Sequence, residues 1–308
     1  MRWLIPLCCV LAAPVALAQN ASPPPDLHGT WESRWLTPLE RPRGVDELSV
    51  DKTRAAEIEA MIQKFMASRP GHSNPDSDFD LTSLAEVNGQ YRTSLIVDPP
   101  NGKIPYTEEG LRRLDIADKH FSGVDNPEER VDSERCTAGN GRAPILSPPT
   151  NAYLQLVQTS DTVVILAEAL NEVRIMPIGR ANHAKGLGGW LGASTARWEG
   201  DTLVVENTDF RVDDAMRIMP PNAVIMLTPE TLVTERFRRI SDREMLYSFT
   251  ISDPVLYTAP WSAETMYLRA EQSMFEYACH EANYSLANIL RGGRTRDAAV
   301  PAAPKAQP

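Results

Sequence analysis

The residues best suited to move a proton stand near the C-terminal end, in Glu276-Tyr277-Ala278-Cys279-His280-Glu281. An imidazole titrates close to neutral pH, so His280 is the candidate general base, with Glu281 and Tyr284 near it in sequence. Three further ionisable side chains fall in apolar, strand-like stretches: Glu168, Arg174 and Glu235. Residues two apart share one face of a strand, which puts Glu235 on the apolar side with Val233 and Phe237. The same parity groups Glu168 with Val164 and Leu166, Arg174 with Met176 and Ile178, and His280 with Met274, Glu276 and Ala278. A carboxylate enclosed among apolar side chains is costly unless paired, so an inward Glu235 requires an Arg, His or hydroxyl partner. The chemistry open to such a set is cofactor-free acid/base catalysis, with His280 moving protons while Arg174 steadies a developing oxyanion. The plainer reading of Glu168, Arg174 and Glu235 is an internal ion pair that closes one end of a barrel. Trp190, Trp198 and Trp261, with Tyr247 and Tyr257, suit either a pocket for an aromatic or terpenoid-like ligand or the core.

Other chemistries lack their spacing. There is no His-x-x-x-His, Cys-x-x-Cys or dense acidic loop, so neither a metal nor a cofactor is expected. The glycines of Gly186-Leu187-Gly188-Gly189 do not join a strand to a phosphate-binding helix and are expected in a loop over a barrel mouth. Ser194 lacks the Gly-x-Ser-x-Gly elbow of a nucleophilic serine. The formal charge of -10, with no clustered Lys/Arg tract, repels phosphate backbones and argues against nucleic acid as a partner.

Residues 1–18 have the form of a secretory leader: Arg2, an apolar stretch from Leu4 to Val15, then Ala16-Leu17-Ala18, with cleavage expected before Gln19. No segment approaches the ~20 apolar residues of a membrane span, so no integral span is expected. The expected location is periplasmic or secreted. Beyond the leader only Cys136 and Cys279 remain, and in an oxidising compartment they are best read as one disulfide. The competing reading, a free Cys279 activated by His280, suffers because neighbours on a strand point to opposite faces.

These side chains must be positioned by a sheet. Apolar alternation at 153–158, 163–168, 173–178, 195–198, 202–206, 232–239 and 245–251, separated by short turns, predicts antiparallel neighbours, and 274–279 is expected as a last strand. Glu199-Gly200-Asp201 reads as a hairpin turn. Residues 92–97 are expected as a strand that stops at Asp98-Pro99-Pro100. Two helices are predicted: 51–66, with Ala55, Ile58, Ile62, Phe65 and Met66 along one face, and 107–121, capped by Thr107 and carrying Leu111, Leu114, Ala117 and Phe121. A short helix over 283–291 is expected to stop at Gly292-Gly293. His280 and Glu281 would then occupy a strand-to-helix corner.

The opening Gly29-Thr30-Trp31 resembles the first strand of lipocalin-like barrels, whose Trp closes one barrel end. Four blocks together, Arg92-Thr93-Ser94-Leu95-Ile96-Val97-Asp98-Pro99-Pro100, Arg197-Trp198-Glu199-Gly200-Asp201-Thr202-Leu203-Val204-Val205, Glu235-Arg236-Phe237 and Glu276 to Glu281, resemble those of a large group of exported bacterial proteins of uncharacterised function. The resemblance spans most of 26–294 and implies a shared fold, with no reaction attached. Where that group usually has Gly-Asp-Ser, this chain has Gly192-Ala193-Ser194.

The combined expectation is an all-β protein with minor helices: an antiparallel lipocalin-like β-barrel with helices covering one end or side. A signal peptide (1–18) and linker (19–25) precede one domain over 26–294, with helical insertions near 51–66 and 107–121, and 295–308 is expected to be a disordered tail. Two functions compete. One is a binding protein for a small hydrophobic, amphipathic or aromatic molecule, with Glu168, Trp190, Trp198, Tyr247 and Tyr284 at the ligand. The other is an isomerase, lyase or hydrolase with His280, Glu235 and Arg174 as its catalytic residues. A filled structural barrel acting through its surface is the third reading, and oligomeric state is not legible.

Overall fold

The computed structural model describes residues 23–33, 35–68, 83–121, 123–130, 134–137, 141–146, 153–180, 186–187, 189–211, 217–219, 223–281 and 283–299. The expected leader and the end of the chain lie outside these residues, as do the side chains of Met66 and Phe121. In chain order the strands are β1 (Gly29–Glu32), β2 (Ser49–Val50), β3 (Glu86–Val87), β4 (Gln90–Arg92), β5 (Ile96–Asp98), β6 (Tyr153–Gln158), β7 (Thr162–Ala167), β8 (Glu172–Pro177), β9 (Ala193–Glu199), β10 (Thr202–Thr208), β11 (Arg217–Met219), β12 (Ala223–Ile225), β13 (Leu232–Arg239), β14 (Glu244–Ser252) and β15 (Trp261–Arg269). The helices are α1 (Lys52–Ala67), α2 (Glu108–Phe121) and α3 (Tyr284–Ala299).

The fold is an all-β, nearly closed antiparallel barrel with minor helices. Its strands follow the order β8-β7-β6-β1-β15-β14-β13-β10-β9. A bridge from Ile178 to Ala196 and the bond from Gly179 N to Ala196 O (2.8 Å) bring the two ends of this order together. Period-two alternation explains why these segments pair: Val233, Glu235 and Phe237 of β13 and Met245, Tyr247, Phe249 and Ile251 of β14 are buried between half-exposed or exposed neighbours. The β9–β10 hairpin turns at Gly200-Asp201, with Gly200 at φ 60°, a conformation a side chain would strain. Trp31 is fully buried, its Nε1 donates to Leu27 O (2.9 Å), and the Arg269 guanidinium lies 5.3 Å from its ring centroid.

Three expectations change. The final strand is β15, not 274–279; residues 273–278 are irregular. β14 occupies one edge of β15, while β1 and β5 share the other, so no edge of β15 is left for a later segment. The expected strand over 92–97 is broken at 93–95, and its two ends, β4 and β5, join different sheets. The expected stop at Gly292-Gly293 is also corrected, because α3 continues to Ala299; of the expected tail, 295–299 belong to this helix and 300–308 lie outside the described residues.

Gly293 serves as a contact point in that helix. A Cβ there would lie 2.7 Å from Val124 Cγ2 and 2.8 Å from Val124 O, whereas one at Gly292 would meet nothing within 4 Å. Gly292→Ala is therefore expected to stabilise by up to about 1 kcal/mol through helix propensity. Gly293→Ala is expected to destabilise by about 1–3 kcal/mol through overpacking. Urea midpoints would show the opposite signs; equal gains at both positions would mean that α3 does not dock on Val124.

The helices do not cover the barrel alike. Asp51 caps α1 through the Arg54 N–H (2.9 Å), and Ala55, Ile58 and Ile62 pack with Leu36, Val45, Val50 and Leu84 in a second, smaller core beside the sheet β2-β4-β3. Phe65, expected on the buried stripe, is exposed. The Arg92–Glu264 pair (2.6 Å) ties this unit to β15. Thr107 caps α2, accepting from Gly110 N (2.9 Å), and Leu114 packs on the barrel core while Leu111 faces solvent.

Candidate functional site

Most side chains that the strands send inward are apolar, and a connected polar group is set among them. Glu235 on β13, Arg174 on β8, Asn207 on β10, Ser194 on β9 and Tyr247 on β14 are all buried, each with at most 1 % exposure. Arg174 Nη2 donates to Glu235 Oε2 at 2.6 Å, and Asn207 Nδ2 donates to the same oxygen at 2.8 Å. Tyr247 OH donates to Glu235 Oε1 at 2.7 Å. Ser194 Oγ donates to Asn207 Oδ1 at 2.7 Å, fixing which way the amide points. Burial first, and then the charge of Glu235, push the Tyr247 hydroxyl well above the usual phenol range, which keeps it a donor.

Arg174 is incompletely used. Beyond Glu235, its Nη2 meets the Met176 sulfur at 3.6 Å. Its Nε and Nη1, both enclosed, have no hydrogen-bond partner among the described residues.

A segment outside the sheet reaches this group. Residues 141–146 are all buried, and Ala143, Ile145 and Leu146 belong to the barrel core. An irregular buried segment must find partners for its peptide groups. Here Ile145 N donates to Tyr247 OH (2.7 Å) and Gly141 N to Glu172 Oε2 (2.8 Å), so side chains of the barrel wall receive the strand-less backbone. Cys136, shortly before the segment, is bonded to Cys279. Asn283 Nδ2 donates to Glu134 O (2.8 Å), Asn171 Nδ2 to Tyr277 O (3.1 Å), and Phe275 N to Glu168 Oε1 (3.0 Å). The chain after β15 is thus fastened both to the turn between β7 and β8 and to the approach to 141–146.

Of the residues expected at a site, the structure brings together Glu235, Arg174 and Tyr247. His280 is separated from them: it lies in an exposed turn after Cys279, while Glu235 is fully enclosed. The expected corner beside a strand does not form, because no strand precedes it. Glu168 is buried, yet not by the expected parity. Val163, Ile165 and Ala167 are the inward residues of β7, and Glu168 is enclosed because the chain turns there and it anchors Phe275. Trp198 packs against the core, Trp190 is half-buried with Arg211 over its ring at 4.4 Å, and Tyr284 is 73 % exposed on α3. Trp261 and Tyr257 belong to the core. The glycine-rich stretch is described only in part.

Asn207 and residues 141–146 were not singled out from the sequence. Asn207 was legible by parity, since it follows Leu203 and Val205 on the inward face of β10. Residues 141–146 show no period and carry only the weak signal of apolar residues after Pro144.

Among the described residues no helix is long and apolar enough to cross a membrane, and no cluster of His, Cys, Asp or Glu has metal-ligand geometry. Fold and site together define a nearly closed antiparallel barrel with an enclosed Glu/Arg/Asn/Tyr centre. Comparisons with known families, with characterised proteins and with solved structures find no match.

Proposed function

We propose that this protein is exported and binds a small hydrophobic or amphipathic molecule inside the barrel, with the polar end of the molecule at Arg174. The uncommitted Nε and Nη1 donors of a buried guanidinium carry this reading. An ion pair kept only to close a barrel end gains nothing from enclosed donors without acceptors, each of which costs about 1–3 kcal/mol. An acceptor on a bound molecule offsets that cost, and the apolar walls suit the rest of it. The Cys136–Cys279 bridge supports an oxidising location, periplasmic or secreted, as does the resemblance to exported proteins. Acid/base catalysis by His280 has no support from the geometry, because an exposed imidazole shares no enclosed cleft with Glu235 and Arg174.

Titration with N-phenyl-1-naphthylamine, a small apolar fluorophore, is expected to saturate at one site per chain. Native mass spectrometry of protein prepared without denaturation is expected to show a small-molecule adduct. Neither saturable fluorophore binding nor any adduct would leave the filled structural barrel as the better reading.

A further inference from the structure

We infer that Asn88 is a site of spontaneous covalent modification, at which its side-chain amide is lost as ammonia and the residue becomes aspartate or isoaspartate. The sequence has three Asn-Gly pairs, Asn88-Gly89, Asn101-Gly102 and Asn140-Gly141. Glycine after asparagine leaves the next peptide nitrogen unshielded by a side chain, so all three are candidates by sequence. The structure separates them by what holds each glycine N–H.

Two of the three are clamped. Gly102 N donates to Pro99 O (2.9 Å), and Asn101 Oδ1 accepts from Lys103 N (3.0 Å). Buried Arg41 fastens the same turn: its N donates to Gly102 O (3.0 Å), its Nη1 donates to Pro100 O (2.7 Å), and a Cβ on Gly102 would lie 2.9 Å from Arg41 Cβ. Gly141 is buried and donates to Glu172 Oε2 (2.8 Å), and a Cβ there would lie 2.8 Å from Glu172 Cβ. Asn140 itself lies outside the described residues. A glycine N–H committed in this way cannot meet the asparagine amide until those contacts break.

Asn88-Gly89 has no such clamp. It is the turn of the β3–β4 hairpin, which pairs at Glu86–Tyr91 and Val87–Gln90. Asn88 at φ 53° and Gly89 at φ 76° give it the left-handed backbone of a type I′ turn. Asn88, Gly89 and Gln90 are exposed, and a Cβ at Gly89 would meet nothing within 4 Å. Among the described residues Gly89 N has no backbone partner outside the hairpin. Opening the end of so short a hairpin breaks few contacts and lets the Asn88 side chain turn onto Gly89 N.

The step is balanced by water alone. Gly89 N, losing its proton to base, attacks Asn88 Cγ; the Cγ–Nδ2 bond breaks, ammonia leaves and a cyclic imide closes. Water then opens the ring, at Cγ to give aspartate or at the main-chain carbonyl carbon to give isoaspartate. Either product puts a new carboxylate at the turn, and isoaspartate also lengthens the main chain by a methylene. The next strand carries Tyr91, packed on the smaller core, and Arg92, paired with Glu264, so the modification falls beside the junction of that core with β15.

The test is incubation of the folded, disulfide-bonded protein in mildly alkaline buffer, with ion-exchange chromatography to resolve acidic variants and peptide mapping to place them. Asn88 is expected to convert about tenfold or more faster than Asn101 and Asn140, the scale set by the hydrogen bonds that hold Gly102 and Gly141. In urea, where those bonds are gone, the three sites are expected to convert at similar rates, Asn101 and Asn140 accelerating far more than Asn88. Asn88→Gly suits the same turn and removes the amide, and is expected to abolish the main acidic variant of the folded protein. Three results each overturn the assignment: Asn101 or Asn140 converting as fast as Asn88 in the folded protein, the main acidic variant surviving in Asn88→Gly, or Asn88 staying intact in the folded protein while the urea sample converts.

Discussion

Glu235→Ala is expected to destabilise the protein by about 3–5 kcal/mol, the cost of breaking a buried pair by removing one partner. The carboxylate has no exposure and holds Arg174, Asn207 and Tyr247 at once. Its removal leaves an enclosed guanidinium without its counter-charge, a phenol proton without its acceptor and a cavity where the side chain stood. Glu235→Gln keeps the volume and an acceptor and should cost less. Arg174→Met/Glu235→Gln should recover most of the loss, because the uncompensated charge disappears with its partner. Urea denaturation followed by circular dichroism checks the series. A Glu235→Ala midpoint equal to that of the parent would show that Glu235 is not enclosed.

Removing the Cys136–Cys279 bridge by Cys136→Ala/Cys279→Ala is the second large effect. The bridged residues are separated by 143 positions. Closing a loop of that length corresponds to about 5 kcal/mol in the chain-entropy model, and measured losses for native bridges run about 2–5 kcal/mol. The effect should reach the barrel interior as well. The bridge fastens the approach to 141–146, whose Ile145 N–H lies on Tyr247. Faster amide exchange at Ile145 is therefore expected in the double variant, measured by hydrogen–deuterium exchange under conditions where both proteins are folded. Unchanged stability and unchanged protection at Ile145 would show that the tether is dispensable.

Much of the barrel was legible from alternation. Residues 153–158, 163–168, 173–178, 232–239 and 245–251 match β6, β7, β8, β13 and β14 within a residue or so, because half-buried strands have a period of two and tight turns between them. β15 was missed although Trp261, Ala263, Thr265 and Tyr267 alternate. The apolar run at 274–279 reads as the final strand instead. Local propensity favours such a run, but a strand also needs an open edge, and edge availability is a property of the assembled sheet.

The sequence by itself determined which way Glu235 and Arg174 face, and it pointed to the disulfide through the two cysteines outside the expected leader. Both follow from simple rules: parity along one strand, and the pairing of two lone cysteines. Tertiary structure alone decided that Glu235 and Arg174, separated by 61 positions, meet at 2.6 Å, that Asn207 and Tyr247 complete the centre, and that 141–146 runs inside. It also placed His280 in solvent and carried α3 through two glycines, the second packed on Val124. These outcomes depend on register and on barrel closure, which are set by burying the apolar faces of strands distant in sequence. A local pattern says which side of a strand a residue occupies; only the closed barrel says what stands opposite it.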